Sequence, residues 1–174
     1  MNKIYPLKQA IITGITSALF ATIAFSIFAG LNQYFDWQVN PSSARGIIGL
    51  LSLIILGIGI YMGMSAAKSA TGKLSYGHAV AIGLLIGLTT GVVMSVIGFI
   101  YTRYINPGYV LYMLNEAKKA MIADGKDSQE VANGLTGLKQ QLSPAVQIFQ
   151  AMAGQTIAGT MIALLMGIFI RTKK

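Results

Sequence analysis

Few side chains in this sequence could do chemistry, and they are widely scattered. His78 is the only histidine, in the run Leu74-Ser75-Tyr76-Gly77-His78, so Ser75, Tyr76 and His78 form the one place where a hydroxyl, a phenol and an imidazole come together. General acid–base work needs a partner to orient and tune the imidazole, most often a carboxylate. No Asp or Glu occurs between Asp36 and Glu116, so a hydrolytic triad or paired-carboxylate mechanism cannot be assembled around that segment. A lone histidine is also a poor metal site. Cysteine is absent, which removes thiolate zinc sites, iron–sulfur clusters and cysteine nucleophiles. Glu116, Asp124, Asp127 and Glu130 alternate with Lys118, Lys119 and Lys126 and lack the spacing of a calcium loop. The expectation is no cofactor, no metal and no catalytic residue, with Ser75, Tyr76 and His78 as a candidate surface site. A second candidate is a polar lining made by Gln155, Thr160 and Thr89, which stand inside long apolar runs.

Those runs set the architecture. The chain has 174 residues, 54% apolar and 10% charged, against roughly 45–50% and 25% for a soluble domain. The apolar residues gather in four stretches, at about 9–31, 47–67, 79–100 and 144–170. Each is long enough to cross a hydrocarbon core as a helix, which takes roughly 20 residues. The first exceeds the length of a signal-peptide core and is followed by no small-residue cleavage site, so it reads as an uncleaved helix. Ser143-Pro144 reads as a hydroxyl N-cap with proline at the first helical position of the fourth. The class expected is all-α: a polytopic membrane protein of four transmembrane helices, forming one membrane domain over residues 1–174.

The only sizeable polar segment, 107–142, repeats apolar residues at helical spacing: Val110, Met113, Ala117 and Met121, then Val131, Leu135, Leu138 and Leu142. Asp124-Gly125-Lys126-Asp127 breaks the pattern, which predicts an amphipathic helical hairpin. Glycines 134 and 137 weaken its second half. With four spans, Lys3, Lys8, Lys68, Lys73, Arg171, Lys173 and Lys174 share one side with no acid. The positive-inside rule makes that side cytoplasmic and the hairpin extracytoplasmic. Topology thereby accounts for the net charge of +8, with lipid rather than nucleic acid as the contacting surface. Tyr34, Phe35, Trp37, Tyr101, Tyr104, Tyr109 and Tyr112 suit interfacial anchoring.

Small residues recur along each span: Gly83, Gly87 and Gly91 in the third, Gly59 and Gly63 in the second, Gly159, Ala163 and Gly167 in the fourth. Such stripes let helix backbones approach closely in lipid. They are candidate packing faces, within the chain or toward a partner. No ionisable residue falls inside a predicted span, which disfavours an ion-coupled pump.

The cytoplasmic loop Lys68-Ser-Ala-Thr-Gly-Lys73-Leu-Ser-Tyr-Gly-His78-Ala, the third helix with Gly83-Leu-Leu-Ile-Gly87, and the exit Tyr101-Thr-Arg-Tyr-Ile-Asn-Pro107 resemble the domain-of-unknown-function family 4199. The resemblance covers most of the chain. It implies a bacterial, mainly Bacteroidota, inner-membrane protein of four helices, and it brings no catalytic residues. Three functions are expected in order. The first is an accessory or scaffold that docks another inner-membrane protein or a second copy of itself, with a lipid-linked glycosyltransferase as the partner class the resemblance suggests. The second is an oligomeric passive channel or lipid translocator lined by Gln155 and the hydroxyls; the third is a membrane enzyme acting on lipid through His78.

Overall fold

A computed structural model describes residues 5–35 and 41–172. Among them the chain forms six α-helices and one π-helical turn: α1 (Tyr5–Phe35), α2 (Pro41–Thr71), α3 (Tyr76–Ile100), the π turn (Tyr101–Ile105), α4 (Tyr109–Ala123), α5 (Ser128–Gln141) and α6 (Pro144–Ile170). Four of these, α1, α2, α3 with its π turn, and α6, are long and apolar enough to cross a membrane. Helices α1 and α2 outrun the apolar stretches at both ends, because helix hydrogen bonding continues into polar flanks once the segment is nucleated. Trp37, Asp36, Lys3, Lys173 and Lys174 lie outside the described residues, as does the side chain of Tyr34.

The third helix sits at the centre, packed most extensively on α6 and α1, while α2 closes the bundle against α1. Large side chains face outward, such as Ile15, Leu19 and Ile23 on α1, Leu50, Ile54 and Ile58 on α2, and Ile157, Met161 and Leu165 on α6. An exposed apolar surface of that extent suits contact with lipid.

At one end of the bundle, the tail end, the start of α1, the α2–α3 loop and the end of α6 meet. Gln9 Nε2 reaches Met62 Sδ at 3.5 Å. Lys68 Nζ donates to the Ile170 carbonyl at 2.8 Å, placing a cation where the last carbonyls of α6 point. Leu74 and Thr172 exchange a pair of hydrogen bonds, Thr172 N to the Leu74 carbonyl and Leu74 N to Thr172 Oγ1, both 3.0 Å. Above this closure Leu56, Ile60, Met64 and Ile86 are completely buried in an apolar layer with Ala10, Ala79 and Ala163.

The other end carries the hairpin. Asn106 precedes Pro107, and the residue before a proline is driven from helical backbone. It takes φ −133° and ψ 73°, and its N–H returns to the Tyr101 carbonyl at 2.7 Å to close the wide turn. Gly125 supplies the positive φ of 75° between α4 and α5. Asp127 and Glu130 form a reciprocal capping box at the start of α5, a D-x-x-E signature that the periodicity alone passes over. Gly134, a weakness by propensity, lies under the flexible end of Met121, whose Cε would stand 2.7 Å from an added side chain, so the Met121 thioether fills the space between the two short helices. Ser143 occupies the N-cap of α6, yet its hydroxyl makes no capping bond. Gln147 bonds on the other side of the junction, its Nε2 donating to the carbonyl of Leu142 at the end of α5 at 2.7 Å.

Candidate functional site

The surface cluster at the tail end is taken up by structural work. Ser75 is the N-cap of α3, its Oγ accepting from His78 N at 3.3 Å, with His78 Nδ1 3.5 Å from the same oxygen. Tyr76 donates to the Leu164 carbonyl at 3.2 Å, and its ring edges Gly167. His78 is exposed. Among the described residues no three metal-ligating side chains gather.

The small-residue stripes pair with one another inside the chain. A methyl group at Gly83 would collide with Ala163 and stand 2.7 Å from the Gly159 carbonyl; at Gly87 it would collide with the Gln155 carbonyl; at Gly159 it would lie 2.7 Å from the Gly83 carbonyl. Gly91 faces the backbone of Ala151 and Met152, and Gly167 faces Ala79 and Tyr76. On α2, Gly59 receives the Thr13 side chain of α1, and Gly63 receives Ile82 and Ile86 of α3. These positions are therefore intramolecular contacts and are closed to a partner.

Where the stripes end, toward the hairpin, the four long helices part. Thr22 and Phe25 of α1, Arg45 and Ser52 of α2, Met94 and Thr102 of α3 with its π turn, and Gln147 and Gln155 of α6 surround a cavity of about 230 Å³. A second lobe of about 280 Å³ shares Arg45, Met94, Thr102 and Gln147 and continues between α3 and α6 to Phe99 and Ile148. Both of those face outward, 41% and 37% exposed. The hairpin covers the cavity with Tyr109, which packs edge-on to Phe25 and Tyr101 with ring centroids 5.4 and 6.0 Å apart, above Met113 and Leu142. Tyr101 Oη lies 2.9 Å from Ser26 Oγ and accepts from Asn106 Nδ2 at 3.1 Å, so the π turn is tied to α1. Burial pushes the Tyr109 phenol up; the Arg45 charge pulls it partly back and Tyr101 adds to the rise.

The hydroxyls on the wall are largely satisfied by their own helices. Ser52 donates to the Ile48 carbonyl at 2.9 Å and Thr102 to that of Gly98 at 3.0 Å, the usual choice of Ser and Thr inside helices. Ser95 additionally bridges from α3 to the Ile148 carbonyl of α6 at 3.3 Å. Two groups are different. Gln155 Oε1 is sealed from solvent and has no donor, a situation that costs about 1–3 kcal/mol. Arg45 lines both lobes, neither of which contains an acid.

Of the three residues expected to form a polar lining, only Gln155 does so. Thr160 donates to the Thr156 carbonyl of its own helix at 2.8 Å, and Thr89 is half-buried away from the cavity. In the sequence Arg45 stands two residues before the second apolar run; in the structure it is exposed in the second turn of α2. Its signal in the sequence was a cation with no acid nearby at the mouth of an apolar run. Gln147, Tyr101 and Tyr109 carried no such signal, since interfacial anchoring explains tyrosines equally well.

The fold is a bundle of four helices long and apolar enough to cross a membrane, with a chamber of mixed polar and apolar lining beneath the hairpin and an apolar closure at the tail end. Residues 8–172 match the family model described as a protein of unknown function, DUF4199, and the chain belongs to that family. No match was found among curated proteins or among solved structures.

Proposed function

We propose that the protein is a non-catalytic binding protein of the bacterial inner membrane, which takes the polar head of a small amphiphile into the hairpin-end cavity and holds it there. The observation that carries this reading is the asymmetry of the bundle. The lining of the chamber reaches Ser52 on α2, while Leu56, Ile60, Met64 and Ile86 are completely buried in the apolar layer at the tail end, and a close-packed layer of that kind leaves a permeating polar solute no open path. A holding role therefore fits better than an oligomeric channel. The lobe between α3 and α6 gives an apolar tail a sideways exit to lipid, as binding sites in helical membrane proteins commonly lie between helices. The uncompensated cations Lys8, Lys68, Lys73 and Arg171 at the tail end favour a cytoplasmic location for that end and an extracytoplasmic one for the hairpin.

Such a protein suits an accessory that presents its ligand to another membrane protein, for which a lipid-linked glycosyltransferase remains the partner class of choice. The small-residue stripes are occupied, so docking would use the hairpin or the outward faces of α2 and α6. The test is mass determination of the intact protein after purification in mild detergent, beside flux and scrambling assays in proteoliposomes. One bound amphiphile per chain and no flux above empty vesicles is the expected result. Flux through the purified protein, or a chain that retains nothing, would overturn the proposal.

A further inference from the structure

The chemistry of the cavity specifies more than a general amphiphile. We infer that its ligand carries a phosphate ester at Arg45 and a hydroxylated extension that reaches inward to Gln155; this deepens the binding reading above and rests on it.

Arg45 is the charge that both lobes have in common, and no carboxylate stands on either wall. Among the described residues it forms no ion pair. A cationic head would find no counter-charge in this chamber. A guanidinium instead presents a rigid fork of donors that matches the oxygens of a phosphate, and Arg45 is exposed where the two lobes meet. Gln147 is the next polar side chain on the wall they share, at the same junction of the lobes.

Gln155 is two turns further along α6 than Gln147, which is about 12 Å of helix at 1.5 Å per residue. Its Oε1 is buried without a donor, while the neighbouring hydroxyls of Ser52 and Thr102 are already engaged with carbonyls. A head made of phosphate alone would leave that depth unused. A phosphate bearing a polyol would give that oxygen an O–H once the Gln155 amide, whose Oε1 is covered in this structure, turns toward the chamber, and its apolar tail would leave past Phe99 and Ile148, which face outward. The shared chemistry is a hydroxylated phosphate ester, and it has two sources: the head of a phospholipid, or a free sugar or glycerol phosphate.

The experiment places the full chain in nanodiscs of phosphatidylcholine containing a minor fraction of phosphatidylglycerol. Bound lipid is counted by mass spectrometry after mild detergent release, with glycerol 3-phosphate and inorganic phosphate added as soluble competitors. Phosphatidylglycerol is expected to be retained over phosphatidylcholine, and R45Q to reduce that preference about tenfold, the loss of one charge-assisted hydrogen-bonding group. R103Q removes an exposed cation on the π turn at the same end that lines neither lobe, and should leave the preference intact. Q155L should lose the preference for phosphatidylglycerol over phosphatidic acid, whose phosphate carries no hydroxylated extension. If R45Q fails to fold, R45K, which keeps the charge without the fork, should lower the preference by a smaller factor.

Competition by glycerol 3-phosphate, stronger than by phosphate, would assign the site to the free ester; indifference to both would assign it to the lipid head. Equal losses in R45Q and R103Q would overturn the inference, because attraction to the membrane surface then accounts for the effect. Retention of both lipids without discrimination would overturn it while leaving the binding reading in place. Retention of no lipid and no soluble ester would remove the binding reading itself.

Discussion

A methyl group added at Gly91 tests whether the α3–α6 contact holds the bundle together. A Cβ built there would lie 2.7 Å from Met152 Cα, 2.9 Å from the Ala151 carbonyl oxygen and 3.2 Å from that of Met152. All three are backbone atoms, so no rotamer change relieves them. Restoring ordinary contact near 3.4 Å requires α6 to retreat by about 0.7 Å. A gap of that size forfeits a quarter to a half of the dispersion energy of each atom pair, itself ~0.1–0.2 kcal/mol. Over a few tens of pairs along this seam the loss comes to about 1–3 kcal/mol, the usual range for overpacking. Lipid supplies no hydrophobic drive to press the helices back together. Part of the loss is offset by the better helix propensity of alanine, at most about 1 kcal/mol. The matched control is Gly154→Ala on α6, where nothing lies within 4 Å and only the propensity term acts. Unfolding of both variants should be followed by far-ultraviolet circular dichroism in one detergent against increasing sodium dodecyl sulfate. Gly91→Ala should unfold earlier than the parent and Gly154→Ala no earlier. Equal midpoints for the two variants would refute the argument that close backbone approach stabilises this fold.

Two further outcomes follow from the hairpin. Asp127→Ala removes the oxygen that accepts from Glu130 N at 2.8 Å and should cost α5 about 1 kcal/mol, read as roughly fivefold faster amide exchange in its first turn; Asp127→Asn should retain most of the protection, and unchanged exchange in the alanine variant would show that the box does not hold the helix. Tyr109 has a raised pKa, first because of burial, so its neutral form is favoured in the folded state. That contribution is fully present below the ordinary phenol value and is lost as pH rises through the folded value. The parent should therefore lose more stability in strong alkali than Tyr109→Phe, with the phenolate difference spectrum midway above the ordinary phenol range; a midpoint at or below that range would contradict the buried placement.

The four spans, the hairpin and its turn at Gly125 were all legible along the chain, because each depends on local composition: apolar length, helical spacing and a residue tolerant of positive φ. The glycine stripes were equally visible as close-packing faces. Their sequence could not say which helix each would meet. Gly83, Gly87 and Gly91 present the same pattern whether they face α6 or another protein, and only the assembled bundle shows Gly159 and Ala163 lying against the first two and Met152 against the third.

The chamber was illegible for a related reason. Arg45, Gln147 and Gln155 come from two helices more than half the chain apart, and each has an ordinary explanation alone: a flanking cation, a polar residue near a helix start, an amide seeking a neighbour. Thr160 and Gln155 looked alike as intramembrane polar groups, yet one hydroxyl reaches its own helix carbonyl while the longer amide lacks a donor. Local pattern determines which segments become helices and which faces are apolar, since those properties repeat along the backbone. Where helices part to leave a cavity depends on the angles at which α1, α2, α3 and α6 cross, and those angles exist only once all four have packed.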